Sequence, residues 1–227
     1  MKKTFYSEAA YIIGLIILAL GVAFTEKASF GMSMVVAPAY LIHLKVSQYL
    51  PFYTFGMSEY VFQAVLLIVL AIVVRRFKIS YLLSFVTAFI YGHILDVCMI
   101  IVGHIPLGGM AYRIFCYVFG ITTGALGIAM LFHTYLTPEA YELFVKEFSD
   151  KYHTPLDKTK IVYDCCSCLL GIIFSFAFFG FGHFVGVSWG TVVCALVNGW
   201  MIGKFGKFLE SRFDFRDAFK WRSMLNW

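Results

Sequence analysis

Six long apolar stretches dominate this chain of 227 residues, and they exclude most folds. A helix needs about 20 consecutive apolar residues to cross a bilayer, and at that depth it satisfies its own backbone polar groups. The stretches predict six spanning helices, near residues 8–26, 58–76, 79–102, 109–133, 160–180 and 186–207. Hydrophobic residues make up 61% of the chain and charged residues 14%, against about a quarter charged in a soluble domain. We therefore expect an all-α integral membrane protein.

The chain also contains an internal duplication. Residues 14–24 (GLIILALGVAF) resemble residues 120–130 (GITTGALGIAM), with two glycines, two alanines and one leucine in register. The short motif APAY at 37–40 recurs as TPEAY at 137–141. Duplicated hydrophobic units of this kind build many secondary transporters. The duplication predicts two repeats of similar structure.

Each repeat holds one segment that is too short or too polar to span the membrane. Residues 28–55 contain a short apolar stretch that Gly31 and Pro38 interrupt. Residues 134–158 contain Pro138 and are charged and amphipathic. We expect both segments to be re-entrant or interfacial inserts. The predicted organisation is a first repeat at 1–106, a second repeat at 107–208 and a cytoplasmic tail at 209–227, which we expect to form an amphipathic interfacial helix.

Basic residues gather at positions that fit one orientation in the membrane. They lie before the first predicted span, after the second, between the fourth and fifth, and after the sixth: Lys2, Lys3, Arg75, Arg76, Lys78, Lys146, Lys151, Lys158, Lys160, Lys204, Lys207, Arg212, Arg216, Lys220 and Arg222. With six spans, all of these clusters fall on the cytoplasmic side, as the positive-inside rule requires. Both termini are therefore expected in the cytoplasm, and the net charge of +5 does not indicate nucleic-acid binding.

Three spans per repeat is an odd number, so the second repeat would enter the membrane in the opposite orientation to the first. Inverted repeats are related by a pseudo-two-fold axis in the membrane plane, and transporter sites lie near the midplane where such repeats meet. The predicted architecture is two inverted three-helix repeats, and the predicted site lies between them.

Two acidic residues stand near the start of equivalent predicted spans, Glu59 in the second and Asp164 in the fifth. An acid there stabilises a helix N-terminus by about 0.3–1 kcal/mol. An ionisable residue inside a span is also a functional candidate, because burying its charge is costly. The sequence leaves two roles open for this pair: helix ends, or gating and ion-coupling sites at opposite faces.

Other polar side chains inside the apolar stretches are candidates for substrate or ion coupling. His93 and Asp96 share one face of the third span, which suggests a proton relay or a helix-end hydrogen bond. Asn198 offers an uncharged polar contact in the sixth span. For Arg113, snorkelling outward, pairing with Asp96 and binding an anionic substrate are all open alternatives.

Cysteines and glycines in the spans are interpreted as packing residues. The six cysteines lie in or beside apolar stretches, so we expect buried small side chains without disulfides, and we predict no metal and no cofactor. The motifs Gly120-x-x-x-Gly124 and Gly199-x-x-x-Gly203 allow helices to approach closely. Packing within the chain and formation of a homodimer are both open.

Four segments carry a resemblance to a known family: GVAFTEKASFGMS at 21–33, FKISYLLSFVTAFIYGHILD at 77–96, KIVYD at 160–164 and VGVSWGT at 185–191. They resemble the YitT/YczE-like family of small bacterial integral membrane proteins. The chain departs from the family pattern at Met34, where a proline would follow the preceding serine. The resemblance implies a multi-pass protein of the bacterial cytoplasmic membrane, with transport as the expected activity.

We predict a transporter that moves a small solute by alternating access, with proton or cation coupling as an option. The alternative is a non-transporting accessory or regulatory protein that docks a partner through residues 134–158 and the tail. A wide channel is disfavoured, because the spans carry few polar residues. No nucleophile elbow, phosphate loop or zinc-protease motif is present, so no enzyme is expected. The predicted partners are the lipid bilayer and an unidentified small molecule.

Overall fold

The computed structural model describes residues 3–106 and 108–218, which contain eight helices and two short strands. In chain order the elements are β1 (Lys3–Tyr6), α1 (Ser7–Ala28), α2 (Ala37–Val46), α3 (Phe55–Val74), α4 (Ile79–Gly103), α5 (Met110–Phe132), α6 (Ala140–Tyr152), α7 (Leu156–Phe179), α8 (Trp189–Arg212) and β2 (Phe213–Arg216). Six of the helices are long and apolar enough to cross a membrane, namely α1, α3, α4, α5, α7 and α8. The predicted all-α membrane fold is confirmed.

Helices α1 and α5 pack backbone against backbone. Gly14 lies against Gly127, and Gly21 lies against Gly120 and Gly124. A Cβ atom on Gly21 would stand 2.7 Å from the Gly120 carbonyl oxygen, so only glycine fits there. The order of the contacts is reversed between the two helices, which are therefore antiparallel. In the sequence duplication Gly14 corresponds to Gly120, and Gly21 corresponds to Gly127. In the structure Gly14 contacts the counterpart of Gly21, and Gly21 contacts the counterpart of Gly14.

The antiparallel pairing of α1 and α5 limits how often the chain crosses the membrane between them. If α3 and α4 both cross, α5 runs opposite to α1 only when α2 does not cross. The contacts of α2 agree with this. Ala37, the first residue of α2, packs against Gly171 in the interior of α7. The segment that precedes α2 lies close to the start of α8, because the N–H of Met32 donates to the Gly186 carbonyl at 2.8 Å. The first insert is thus re-entrant.

Helix α6 is a second half-helix, and it enters from the other face. The Ser84 hydroxyl, in the second turn of α4, donates to the Pro138 carbonyl at 2.8 Å. Gln63, in the middle of α3, accepts a hydrogen bond from the first N–H of α6 at 2.9 Å. Lys151, near the end of α6, donates to the Val73 carbonyl at the end of α3, also at 2.9 Å. The helix therefore runs from the bilayer interior back to the face where α3 ends.

Strands β1 and β2 join the two ends of the described chain. They pair in parallel, with Lys3 opposite Phe213 and Tyr6 opposite Arg216. Because β1 leads into α1 and β2 follows α8, the start of α1 and the end of α8 lie at one face, which we call the basic face because Lys78 and most other basic residues gather there.

The interfacial helix expected for the tail is not found in the described residues. Helix α8 continues to Arg212, and the next four residues form β2. The sequence FDFR alternates apolar and polar side chains with the period of a strand, and both of its phenylalanines pack against the Phe5 ring. Residues 219–227 of the expected tail lie outside the described part of the chain.

Two alanine substitutions on one helix test the α1–α5 contact. A Cβ atom at Gly120 would lie 2.7 Å from the Gly21 carbonyl oxygen, whereas one at Gly124 would meet nothing within 4 Å. We expect Gly120→Ala to lower the free energy of unfolding by about 1–3 kcal/mol through overpacking. Gly124→Ala should leave it unchanged or raise it slightly, since alanine favours helix. Thermal unfolding of both proteins in detergent measures the difference, and equal stability would contradict the contact.

Candidate functional site

Polar side chains from α3, α6, α7 and α8 meet in the interior of the protein, beside the start of the half-helix α6. All are buried, with exposed fractions between 0% and 5%. We call them the carboxylate cluster: Glu59, Gln63, Glu139, Tyr141, Glu142, Lys160, Asp164 and Asn198. Buried ionisable groups within a bilayer are rare and costly, which makes this cluster the strongest candidate for a functional site.

The start of α6 brings three of these side chains to the cluster. Glu139 takes the N-cap position of α6 with φ −58° and ψ 161°. Glu142 follows three residues later, so the two carboxyls lie on neighbouring positions of one helix face. Tyr141 points elsewhere, and its hydroxyl donates to Glu59 Oε2 at 3.1 Å. A single turn of helix thus contacts both α3 and α7.

Lys160 is the cation of the cluster. Its Nζ lies 3.0 Å from Asp164 Oδ1, one turn along α7, and 3.3 Å from Glu142 Oε1 on α6. Asn198 of α8 lies near the Asp164 carboxyl but forms no hydrogen bond with it in this structure. Because all of these groups are buried, the ammonium holds α6 against α7 without competition from water.

Glu139 and Glu59 lie farther from this ammonium and are held by neutral groups. The Gln63 amide donates to Glu139 Oε2 at 3.1 Å. Glu59 accepts only from Tyr141 among the described residues. The second carboxyl oxygen of each, Oε1 of Glu59 and Oε1 of Glu139, has no hydrogen-bond partner in the described part of the chain. Each of these oxygens has an open position for a proton or a cation.

The cluster has more carboxyls than it can hold in ionised form. One ammonium and four carboxylates would leave a net charge of −3 in a medium of low dielectric constant. Burial raises the pKa of Glu139 well above its usual range, and the neighbouring Glu142 and Glu59 raise it further. Glu139 therefore favours its protonated form in this arrangement.

Comparison with known proteins places the chain in one family. The family model described as "Family of unknown function (DUF6198)" matches residues 5–207, which cover most of the chain. The chain belongs to the DUF6198 family. No curated protein matches the chain, and no solved structure matches it. The resemblance to YitT/YczE-like proteins stays a prediction beside this membership.

In this DUF6198 protein the structure brings Glu59 and Asp164 into one cluster, although they belong to different halves of the chain. Glu59 does not open its helix, because α3 begins at Phe55 and Glu59 lies in its second turn. Asp164 does not open its helix either, because α7 begins at Leu156 and continues through the charged residues that follow. Asp164 therefore lies two turns inside the span, where a role as a helix end does not apply. Asn198 joins the same cluster from α8.

The predicted pair of His93 and Asp96 is not brought together. His93 is exposed on the membrane side, where its Nδ1 lies 3.0 Å from the Phe89 carbonyl oxygen and its ring packs on the Phe89 ring. Asp96 binds the start of α3 instead: its carboxylate accepts from the Gly56 N–H at 2.8 Å and from the Thr54 hydroxyl at 2.9 Å. Asp96 thus fits the helix-end alternative.

Arg113 neither pairs with Asp96 nor points into a substrate site. It donates to the carbonyls of Ala28 and Ser29, at 2.9 and 3.0 Å, where α1 ends. Its guanidinium also lies over the Phe30 ring, 4.8 Å from the ring centre. Arginine at a helix C-terminus satisfies carbonyls that have no partner within the helix. In this structure Arg113 joins α5 to the entry of the first insert.

Gln63, Glu139, Tyr141, Glu142 and Lys160 were missed by sequence reasoning. The segment around α6 is charged and has the strong amphipathic pattern of a surface helix, which hides its burial. One pattern points to it. The duplication aligns TPEAY with APAY, so Glu139 falls at the tip of a re-entrant insert, where a charge needs a partner.

No metal site is found in the part of the chain that the structure describes. These residues contain no group of His, Cys, Asp and Glu placed to hold a metal ion.

Removal of the cluster's ammonium should destabilise the fold. Lys160→Met leaves Glu142 and Asp164 without their buried countercharge, and we expect a loss of about 3–5 kcal/mol in the free energy of unfolding. The double variant Lys160→Met with Asp164→Asn should recover part of this loss, because it removes one of the two uncompensated carboxylates. Lys158→Met, at an exposed position on the same helix, is the matched control. Equal thermal stability of the Lys160 and Lys158 variants would contradict the proposed charge balance.

The raised pKa of Glu139 predicts how stability depends on pH. Between its usual pKa of 4.5 and its raised value, the folded protein keeps the Glu139 proton while the unfolded chain loses it. Stability contributed by this group therefore falls as pH rises through that window, by up to about 1.4 kcal/mol per pH unit. Glu139→Gln cannot titrate and keeps the Gln63 contact, so its stability should fall less steeply. If the melting temperatures of the wild type and of Glu139→Gln fall equally steeply with pH, Glu139 does not cause the pH dependence.

Proposed function

We propose that this protein is a small secondary transporter that moves a solute across the membrane by alternating access and couples that movement to protons. The carboxylate cluster is the observation that carries the proposal. Its excess of buried carboxyls at the tip of the half-helix α6 makes the protonation of Glu139 depend on how α6 packs. A movement of α6 that admitted water would let these carboxyls ionise, which is the requirement for proton coupling.

The arrangement of the helices supports two inverted repeats around this site. Each half contributes a half-helix that starts in the bilayer interior, and the two enter from opposite faces. Helix α2 of the first half packs against α7 of the second, and α6 of the second half packs against α3 of the first. Discontinuous helices at a repeat interface commonly form the substrate and ion sites of transporters.

A small pocket between the two halves is the candidate for the solute site of this transporter. Its volume is about 30 Å³, and its walls come from both halves, including Thr25 and Ser33 from the first and Cys194 and Asn198 from the second. A space of this size holds about one water molecule. Asn198 belongs both to the wall of this pocket and to the carboxylate cluster, where its side chain lies near Asp164. On this proposal the solute takes this pocket once it has widened.

The alternative of an accessory protein gains less support from these contacts. It requires the insert at 134–158 to present a docking surface. Seven residues of α6 are buried against α3 and α7 instead, namely Ala140, Tyr141, Glu142, Leu143, Val145, Glu147 and Ser149. Lys78 also holds the end of α6 by an ion pair to Glu147, with 2.7 Å between Nζ and Oε1.

Proteoliposomes with an internal pH-sensitive dye test the transport proposal. Panels of amino acids, carboxylates, sugars and amines are added in turn, and we expect one class to move protons across the membrane. Glu139→Gln should reduce that proton movement to the level of empty liposomes. Asp150→Asn, an exposed acid on the same helix α6, is the matched control and should behave like the wild type.

Two failures of this experiment have different meanings. If no solute class produces flux of solute or protons, the protein is not a transporter of these compounds and the proposal falls. If a solute is transported but Glu139→Gln carries protons as well as the wild type does, the coupling role of the cluster is wrong. Direct measurement of labelled solute uptake separates the two outcomes.

A further inference from the structure

The carboxylate cluster lacks hydrogen-bond donors. Within the described residues, every fully buried side-chain atom without a hydrogen-bond partner is an oxygen. Three carboxyls of the cluster present such an oxygen: Oε1 of Glu59, Oε1 of Glu139 and Oδ2 of Asp164. Protons alone do not remove this shortage, because a protonated carboxyl gains an O–H that itself needs an acceptor. The arrangement therefore calls for a partner that brings several donors at once.

The cations beside the cluster and the pocket between the halves are already bound. Lys160 pairs with Asp164 and with Glu142. Toward the face opposite to the basic face, the Lys27 ammonium donates to the Gly103 carbonyl at 3.0 Å, and Arg113 donates to the carbonyls at the end of α1. An anionic solute would therefore meet carboxylates here without a cation to bind it, which disfavours that solute class.

The pocket between the halves can receive the apolar body of a solute. Its wall contains no charged residue, and much of it is apolar, including Leu18, Val22 and Ile121. Asn198 lines the same pocket and lies near Asp164 of the cluster. A molecule whose body occupies the widened pocket can therefore place a polar head at the carboxyls.

A larger cavity, of about 280 Å³, lies at the end of α1, toward the face opposite to the basic face. Glu26 is the only charged residue in its wall, and Tyr40 and Phe184 contribute aromatic rings. A carboxylate and aromatic rings together attract an organic cation. Met32 lines this cavity and the next residue, Ser33, lines the pocket between the halves, so only a short stretch of the first insert separates the two spaces.

We propose that the solute of this transporter is an organic amine in its ammonium form. The ammonium binds the free oxygens of Glu59, Glu139 and Asp164, and the apolar body lies in the pocket between the halves. This inference rests on the proposed function, because it names the solute class of that same site. A primary ammonium carries three N–H donors, which matches the three oxygens without a partner.

Binding of the ammonium and of a proton at the same carboxyl would couple the two movements. As the ammonium arrives, the Glu139 carboxyl gives its proton to water and binds the ammonium as a carboxylate. The ammonium keeps its own hydrogens, and the net charge of the occupied cluster equals that of the protonated one. Each amine that binds therefore releases one proton, so amine and proton move in opposite directions across the membrane.

Isothermal titration calorimetry of the purified full chain in detergent at pH 7 tests the solute class. The probes share a four-carbon body and differ in their heads: n-butylamine, butan-1-ol, butyrate and butyltrimethylammonium. We expect n-butylamine to bind most tightly. Repeating the titration in buffers of different ionisation enthalpy should show the release of about one proton for each amine bound. Butyltrimethylammonium carries the charge without N–H donors and should bind more weakly.

Variants of the cluster locate the binding site. Glu59→Gln removes one charged acceptor and should weaken n-butylamine binding by about ten-fold or more. Glu139→Gln should weaken binding similarly and should also abolish the proton release, because this side chain cannot titrate. Asp150→Asn, at an exposed position of α6, is the matched control and should bind the amine as the wild type does.

Several results would overturn the proposal. Equal binding of butan-1-ol would show that the charge is not recognised, tighter binding of butyrate would reverse the solute class, and equal binding of butyltrimethylammonium would show that the N–H donors are not needed. Amine binding without proton release would contradict the exchange. These comparisons use the wild type, so they decide the question even if a glutamine variant does not fold.

Failure of this inference and failure of the transport proposal are distinguishable. If proteoliposomes transport another solute class and n-butylamine does not bind, the solute class is wrong and transport stands. If n-butylamine binds with release of a proton but no solute crosses the membrane, the amine site stands and transport is wrong.

Discussion

The backbone contact between α1 and α5 is the interaction on which the rest of the structure depends. Five glycines bring the two helices so close that carbonyl oxygens and α-carbons of one helix face the backbone of the other directly. In a bilayer the hydrophobic effect does little to hold helices together, so close packing of small residues takes its place. This contact joins the two halves of the chain at their first helices. The half-helices α2 and α6 then reach across it, each to the opposite half.

The carboxylate cluster exists because α6 begins inside the membrane instead of crossing it. A helix that ends in the bilayer interior leaves polar backbone groups that must find partners there. Gln63 meets this need at the start of α6, where its side chain binds both the first N–H and the Glu139 carboxyl. Once polar groups gather at such a point, the local environment tolerates further ones, and Lys160 offsets part of their charge. As a result, the stability of the fold depends on the protonation state of the cluster.

Much of the fold could be predicted from the sequence, because span length and the positions of basic residues are local properties. Pro38 and Pro138 are local signals as well, and they indicated the two inserts. The partners of α6 could not be predicted, since its burial depends on which helices surround it. Asp164 illustrates the limit. Its place in the chain suggested a helix end, but charged residues before it continue the helix into the basic face. Strand β2 was missed because four alternating residues after a long helix give too short a pattern to recognise.

The pairing of β1 with β2 connects the two ends of the described chain. The strands tie the first helix of one half to the last helix of the other, across 210 residues from Lys3 to Phe213. If the halves tilt against each other, as the proposed transport cycle requires, this pairing will hold their ends together at the basic face and act as a pivot there. The larger separation would then fall at the opposite face, where Arg113 and the entry of the first insert form a contact between the halves. On the transport proposal, the two faces of the protein would therefore open to different extents.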